Sequence, residues 1–141
     1  MSAGAGEGGT LLAVASGGVI GSLGRWGFSS ASGGAPWGTL VVNLSGALAL
    51  GLLVAWLGAA HRHPLVRPFA AVGLLGGWTT YSTFALDGHG LAADGLGGLL
   101  GYLALTLGLG VAAALAGLAL GERLWHTPAL VDDAAIDEEE L

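Results

Sequence analysis

The sequence predicts an all-α integral membrane protein with four transmembrane helices, the third of them broken near the bilayer midplane. Three observations lead there. Only 10% of the 141 residues are charged, against about 25% in an ordinary soluble domain. Mean hydropathy is +0.73. The apolar residues fall into four runs, each close to the ~20 residues a helix needs to cross the hydrocarbon core. A chain of this length makes one compact domain. It has no cysteine, which excludes disulfides and cysteine metal sites. The formal charge of −6 belongs to one end, because six of the ten acidic residues stand at or after Asp132. The four basic residues are all arginine and are scattered, which argues against a nucleic-acid partner.

Residues 1–10 read as a flexible N-terminus, rich in glycine and alanine. They lack the basic start of a cleaved signal peptide, so the first span is expected to be retained. "GAGEGG" from Gly4 to Gly9 matches a dinucleotide-binding pattern in form only, since no strand precedes it. The first span is expected over 11–28, with Arg25 near its far end. An arginine inside a span marks a pathway or a wet cavity, or snorkels to the interface. The second span, 37–58, is opened by Pro36 and contains one amide, Asn43. The third, 66–91, follows a connector with two arginines and two prolines, and the fourth, 96–121, is almost unbroken Leu, Ala, Gly and Val. A tight turn near 92–95 joins them. Residues 122–141 read as an acidic, solvated, disordered tail. Small residues four apart let membrane helices approach closely. Gly17/Gly21, Gly73/Gly77, Gly97/Gly101 and Gly117/Gly121 have that spacing. Four short spans enclose little by themselves, which favours an oligomer.

The third span carries "GLLGGWTTYSTF" from Gly73 to Phe84. Its adjacent glycines and β-branched residues make a weak helix, and Gly76 to Tyr81 falls near the midplane. A broken helix at that depth is tolerated where its freed carbonyls line a cavity or hold an ion. One hydroxyl would bond back to a carbonyl a turn earlier; so many polar groups in one half-span favour a functional site.

"GGWTTYSTF" resembles the third-span signature of the Fluc (CrcB) fluoride channels. "GGVIGSLGRW" at Gly17 to Trp26 and "GTLVVNLSG" at Gly38 to Gly46 are similar to that family's first- and second-span patterns, in the same order. The resemblance covers three spans; the fourth matches in character only. It implies a dimer of two antiparallel four-helix subunits that conducts fluoride through two narrow pores. It also implies a structural sodium ion at the dimer centre, held by backbone carbonyls that fall here on Gly76 and Thr79. The pore residues it implies are Asn43, Tyr81 and Phe84. Tyr81 stands in place of a phenylalanine and Asp87 in place of a glutamate, both departures from the family's pattern.

The chemistry of these positions agrees. Fluoride is small and strongly hydrated, so a pore must replace water's hydrogen bonds, and Asn43 offers two N–H donors. Asn43 could equally be a hydrogen-bonded tie between helices. Tyr81 and Phe84 share a helical face and can turn positive ring edges to an anion, or simply pack. Arg25 is a fluoride-path candidate, and Thr106, a turn beyond Tyr102, could extend a polar track. Gly76 is expected to need glycine's backbone freedom. A small drug exporter would carry an embedded carboxylate in its first span, which has none, and a purely structural subunit would have no use for the polar cluster. Asp87 and His89 are a poor catalytic constellation, and His61, His63 and His126 lie in expected loops. Arg62, Arg67 and Arg123 stand on the side of the termini against Arg25 near the other boundary, which biases the termini to the cytoplasm. The partner is then a second copy or an oppositely oriented homologue.

Overall fold

The computed structural model describes residues 6–33 and 36–125. Helix α1 (Glu7–Ala31) starts with an acidic residue in its first turn, favourable at the positive end of the helix dipole. It ends where Ser32 donates its backbone N–H to Phe28 O and Gly33 takes φ +69°, a left-handed turn that suits glycine. Helix α2 (Pro36–Gly58) opens on a proline, which needs no donor in a first turn. A π-helical segment, Pro68–Leu75, leads into the single turn α3 (Gly76–Trp78). Thr79 and Thr80 are extended, with ψ 155° and 122°. Helix α4 (Tyr81–Ala93) follows, then Gly95 at φ +127° and the long helix α5 (Leu96–Trp125).

Three of these helices, α1, α2 and α5, are long and apolar enough to cross a membrane. The 66–91 region forms no single long helix, because the chain leaves helical geometry at Thr79 and Thr80. The helices outrun the hydropathy boundaries: α1 begins at Glu7, inside the stretch expected to be flexible, and α5 reaches Trp125, inside the expected tail. Hydropathy marks the apolar stretch, whereas helical hydrogen bonding continues past it. Most of the acidic tail, His126 included, lies outside the described residues.

The glycine spacing decides which helices meet. A Cβ at Gly17 would strike Phe69 O and one at Gly21 would strike Leu74 O. Reciprocally, a Cβ at Gly73 would stand 2.6 Å from Val14 O and one at Gly77 2.6 Å from Gly18 O. Two of the glycine pairs thus face each other, clamping α1 to the π segment and α3. The pair Gly117/Gly121, joined by Gly51, does the same for α5 and α2. A Cβ at Gly97 or Gly101 would meet nothing within 4 Å among the described residues, so that pair clamps no helix there. The end of α5 lies beside the end of α2, where Glu122 and Trp125 share a hollow with Val54 and Ala59. Beyond it the Arg62 guanidinium sits 4.2 Å over the Trp56 ring.

Little of the apolar surface is inside. Among the described residues, Leu40, Val42 and Tyr102 are the buried large apolar ones, while Leu12, Leu23, Leu107 and Val111 each remain more than half exposed. Such a surface would aggregate in water; the lipid tails of a membrane are its natural cover.

Candidate functional site

The site grows out of the interruption after α3. Where a helix stops, backbone groups lose their partners and need others. The Thr80 backbone N–H donates to Asn43 Oδ1 at 2.8 Å, and Asn43 Nδ2 donates to Thr80 O at 3.0 Å. One amide side chain on α2 thereby satisfies both backbone groups of a residue on the break. Thr80 also caps α4: its Oγ1 accepts from the Thr83 backbone N–H at 3.2 Å, as an N-cap hydroxyl does. Thr79 bonds back instead, its Oγ1 donating to Leu75 O at 2.9 Å. On the other side of the break, Arg25 Nε donates to Gly77 O at 3.0 Å. The Trp78 indole N–H reaches Ser45 Oγ at 2.9 Å.

These bonds redirect two donors. In a continuous helix, Gly76 O would accept from Thr80 N–H and Thr79 O from Thr83 N–H. The first now goes to Asn43 and the second to Thr80 Oγ1. The carbonyls of Gly76 and Thr79 are left without their ordinary partners. Among the described residues no three ionisable side chains group as a metal site. A cation here would therefore rest on hard carbonyl oxygens, which suit alkali and alkaline-earth ions.

Beside the break is a cleft of about 330 Å³ lined by Asn43, Thr79, Thr80, Tyr81, Phe84, Thr106 and Leu107. It carries no formal charge. Asn43 keeps one amide hydrogen beyond the one given to Thr80. The Thr106 hydroxyl is buried and finds no hydrogen-bond partner of good geometry among the described residues, which is unfavourable unless something enters to meet it. The rings form a ladder: Tyr81 and Phe84 centroids lie 5.9 Å apart at 49°, and Phe84 and Tyr102 5.4 Å apart at 31°. Tyr102 OH continues it, donating to Asp87 Oδ2 at 3.3 Å.

Of the residues singled out in the sequence, Asn43, Thr79, Tyr81, Phe84 and Thr106 meet at this one cleft. Arg25 and Gly76 stand outside its lining. The expected need for a flexible glycine at Gly76 is corrected: it has ordinary helical angles, φ −65° and ψ −33°, and a Cβ there would approach only Ala71 O, at 4.0 Å. The demanding glycine is its neighbour Gly77, because backbone of α1 lies against it. Sequence reasoning missed Thr80 as the organiser of the break, although Thr80 followed three residues later by Thr83 has N-cap spacing. It also missed the Tyr102–Asp87 bond, which no local pattern announces.

The family described as CrcB-like protein, Camphor Resistance (CrcB), matches residues 12–118. The chain belongs to the CrcB family. The matched range spans every candidate residue named above, from Arg25 to Thr106. Similar proteins include the fluoride-specific ion channel FluC of Paracoccus denitrificans, 45% identical over 122 residues that cover 82% of this chain and 97% of the relative. FluC 2 of Nocardia farcinica is 46% identical over 117 residues, 79% of this chain and 81% of the relative. FluC of Agrobacterium fabrum is 41% identical over 122 residues, 82% and 98% of the two chains.

Proposed function

We propose that this CrcB protein is a fluoride-specific channel of the cell membrane that lets fluoride leave the cell passively. The observation that carries it is the uncharged cleft in which a spare Asn43 amide hydrogen, the unpartnered Thr106 hydroxyl and two aromatic rings converge. Hydrogen-bond donors and ring edges replace the water of a small anion without a charged side chain in the lining to trap it, and conduction needs sites that release what they bind. The relatives named as fluoride-specific channels support the choice of anion.

The 66–91 region is the fourth spanning element, interrupted at the midplane by Thr79 and Thr80. The carbonyls of Gly76 and Thr79 hold a structural sodium ion, supplying fixed positive charge that holds two copies of the break together. The assembly is an antiparallel dimer, as a second copy or as a paired homologue. The shallow cleft supports this, since Tyr81 is 81% exposed in the lone subunit and needs a second wall to make a pore.

Fluoride efflux from proteoliposomes tests the function: rapid fluoride release with no chloride release is expected, and absence of fluoride release would overturn it. Within that assay Phe84→Ile, which keeps volume but removes the ring edge, should slow efflux. Tyr81→Phe removes only a hydroxyl and should stay active; a dead variant would make that hydroxyl essential. Reporter fusions at the C-terminus address the partner. Comparable signal from both faces of the membrane means a dual-topology homodimer, and signal from the cytoplasm alone means a paired homologue.

A further inference from the structure

We propose that Arg25 is a positioning residue for the cation carbonyls and takes no part in the fluoride path. This rests on the reading that Gly76 and Thr79 hold a cation. Arg25 continues the stripe Gly17–Gly21 at the same four-residue interval, so it emerges from the face of α1 that is clamped to the π segment and α3. Its guanidinium Nε donates to Gly77 O, the carbonyl next to Gly76 and two before Thr79. In an unbroken helix that oxygen would accept from the Tyr81 N–H, but Tyr81 already belongs to α4, beyond the extended residues. Arg25 therefore satisfies a carbonyl that the break has orphaned. It also fixes the Gly77–Trp78 peptide plane, and with it the directions of the peptides on either side. The opposite end of the break is fixed by Asn43 on Thr80. Two long-range side chains hold the break from both sides, one from α1 and one from α2, with the Thr79 carbonyl between them.

Charge and geometry make opposite demands here, which gives a clear test. A guanidinium one peptide from a bound cation repels it, so loss of the charge alone would tighten cation binding. Loss of the hydrogen bond would let the Gly77 peptide turn and would weaken binding. The structure favours the second effect, because the bond is direct and the neighbouring oxygens are the ligands.

The experiment uses the purified full chain in detergent and follows its thermal unfolding as sodium chloride replaces N-methylglucamine chloride at constant ionic strength. The unaltered protein should be stabilised by sodium with a measurable half-concentration. Arg25→Met, which has no N–H to give, should need about tenfold more sodium, the size of one charge-assisted hydrogen bond. Arg25→Lys, which keeps a donor, should be partly restored, and Arg62→Gln should behave as the unaltered protein. In proteoliposomes at saturating sodium, the fluoride-over-chloride preference of Arg25→Met should be unchanged. If the unaltered protein shows no sodium effect, the cation reading itself fails and this role for Arg25 with it. If it responds and Arg25→Met responds equally or at lower sodium, the cation reading stands and the role of Arg25 is overturned. Should Arg25→Met not fold, Arg25→Lys carries the test. Failure of that variant at every sodium concentration would reduce Arg25 to a tie between helices.

Discussion

Asn43→Ala should lower fluoride efflux about a hundredfold at equal amounts of reconstituted protein. The substitution removes the amide hydrogen that faces the cleft and leaves both Thr80 backbone groups without their partner. Two lost hydrogen bonds at about 1–1.5 kcal/mol each correspond to roughly that factor. In a membrane the orphaned groups find no water to replace the amide. Asn43→Asp separates the two roles. A carboxylate still accepts from Thr80 N–H, but it sets a negative oxygen against Thr80 O and against the anion. It should therefore be slower than Asn43→Ala, even though it preserves one of the two bonds. Efflux of both variants at the level of the unaltered protein would mean that Asn43 neither shapes the break nor meets the ion.

Gly77→Val should severely damage folding, and Gly76→Ala should be tolerated. A Cβ at Gly77 stands 2.6 Å from Gly18 O and 3.0 Å from Ser22 N, both backbone atoms of α1. A side chain there can be accommodated only by moving α1 away. Overpacking alone costs about 1–3 kcal/mol, and here it also loosens the Arg25 bond to the same residue. At Gly76 the backbone is already helical and the space is open; alanine gains up to about 1 kcal/mol in helix propensity. Yield and unfolding temperature of the purified variants measure the contrast. A Gly77→Val protein as stable as Gly76→Ala would remove the close approach of α1 and α3 as a requirement of the fold.

The sequence by itself determined the solvent of this protein and the kind of structure that solvent permits. Hydrocarbon selects by composition and window length, and both are properties of a linear string; that is why α2 begins within one residue of its expected start and ends where expected. It also marked Gly76 to Tyr81 as weak helix, because glycines and β-branched threonines weaken a helix wherever they stand. Its motifs singled out Asn43, Tyr81 and Phe84, and a position one turn beyond Tyr102 added Thr106. Only the tertiary structure decided how the interruption is satisfied. Asn43 reaches Thr80 across 37 positions and Arg25 reaches Gly77 across 52, and a hydrogen bond holds only at about 3 Å and near-linear geometry. Those distances are set by how closely the helices approach, which rests on Gly17, Gly21, Gly73 and Gly77 facing one another. Gly97 and Gly101 have the same spacing and clamp no helix among the described residues, so spacing can propose a contact but supplies no partner. The same limit explains Gly76 and Gly77: two identical neighbours in sequence, one against open space and one against the backbone of another helix.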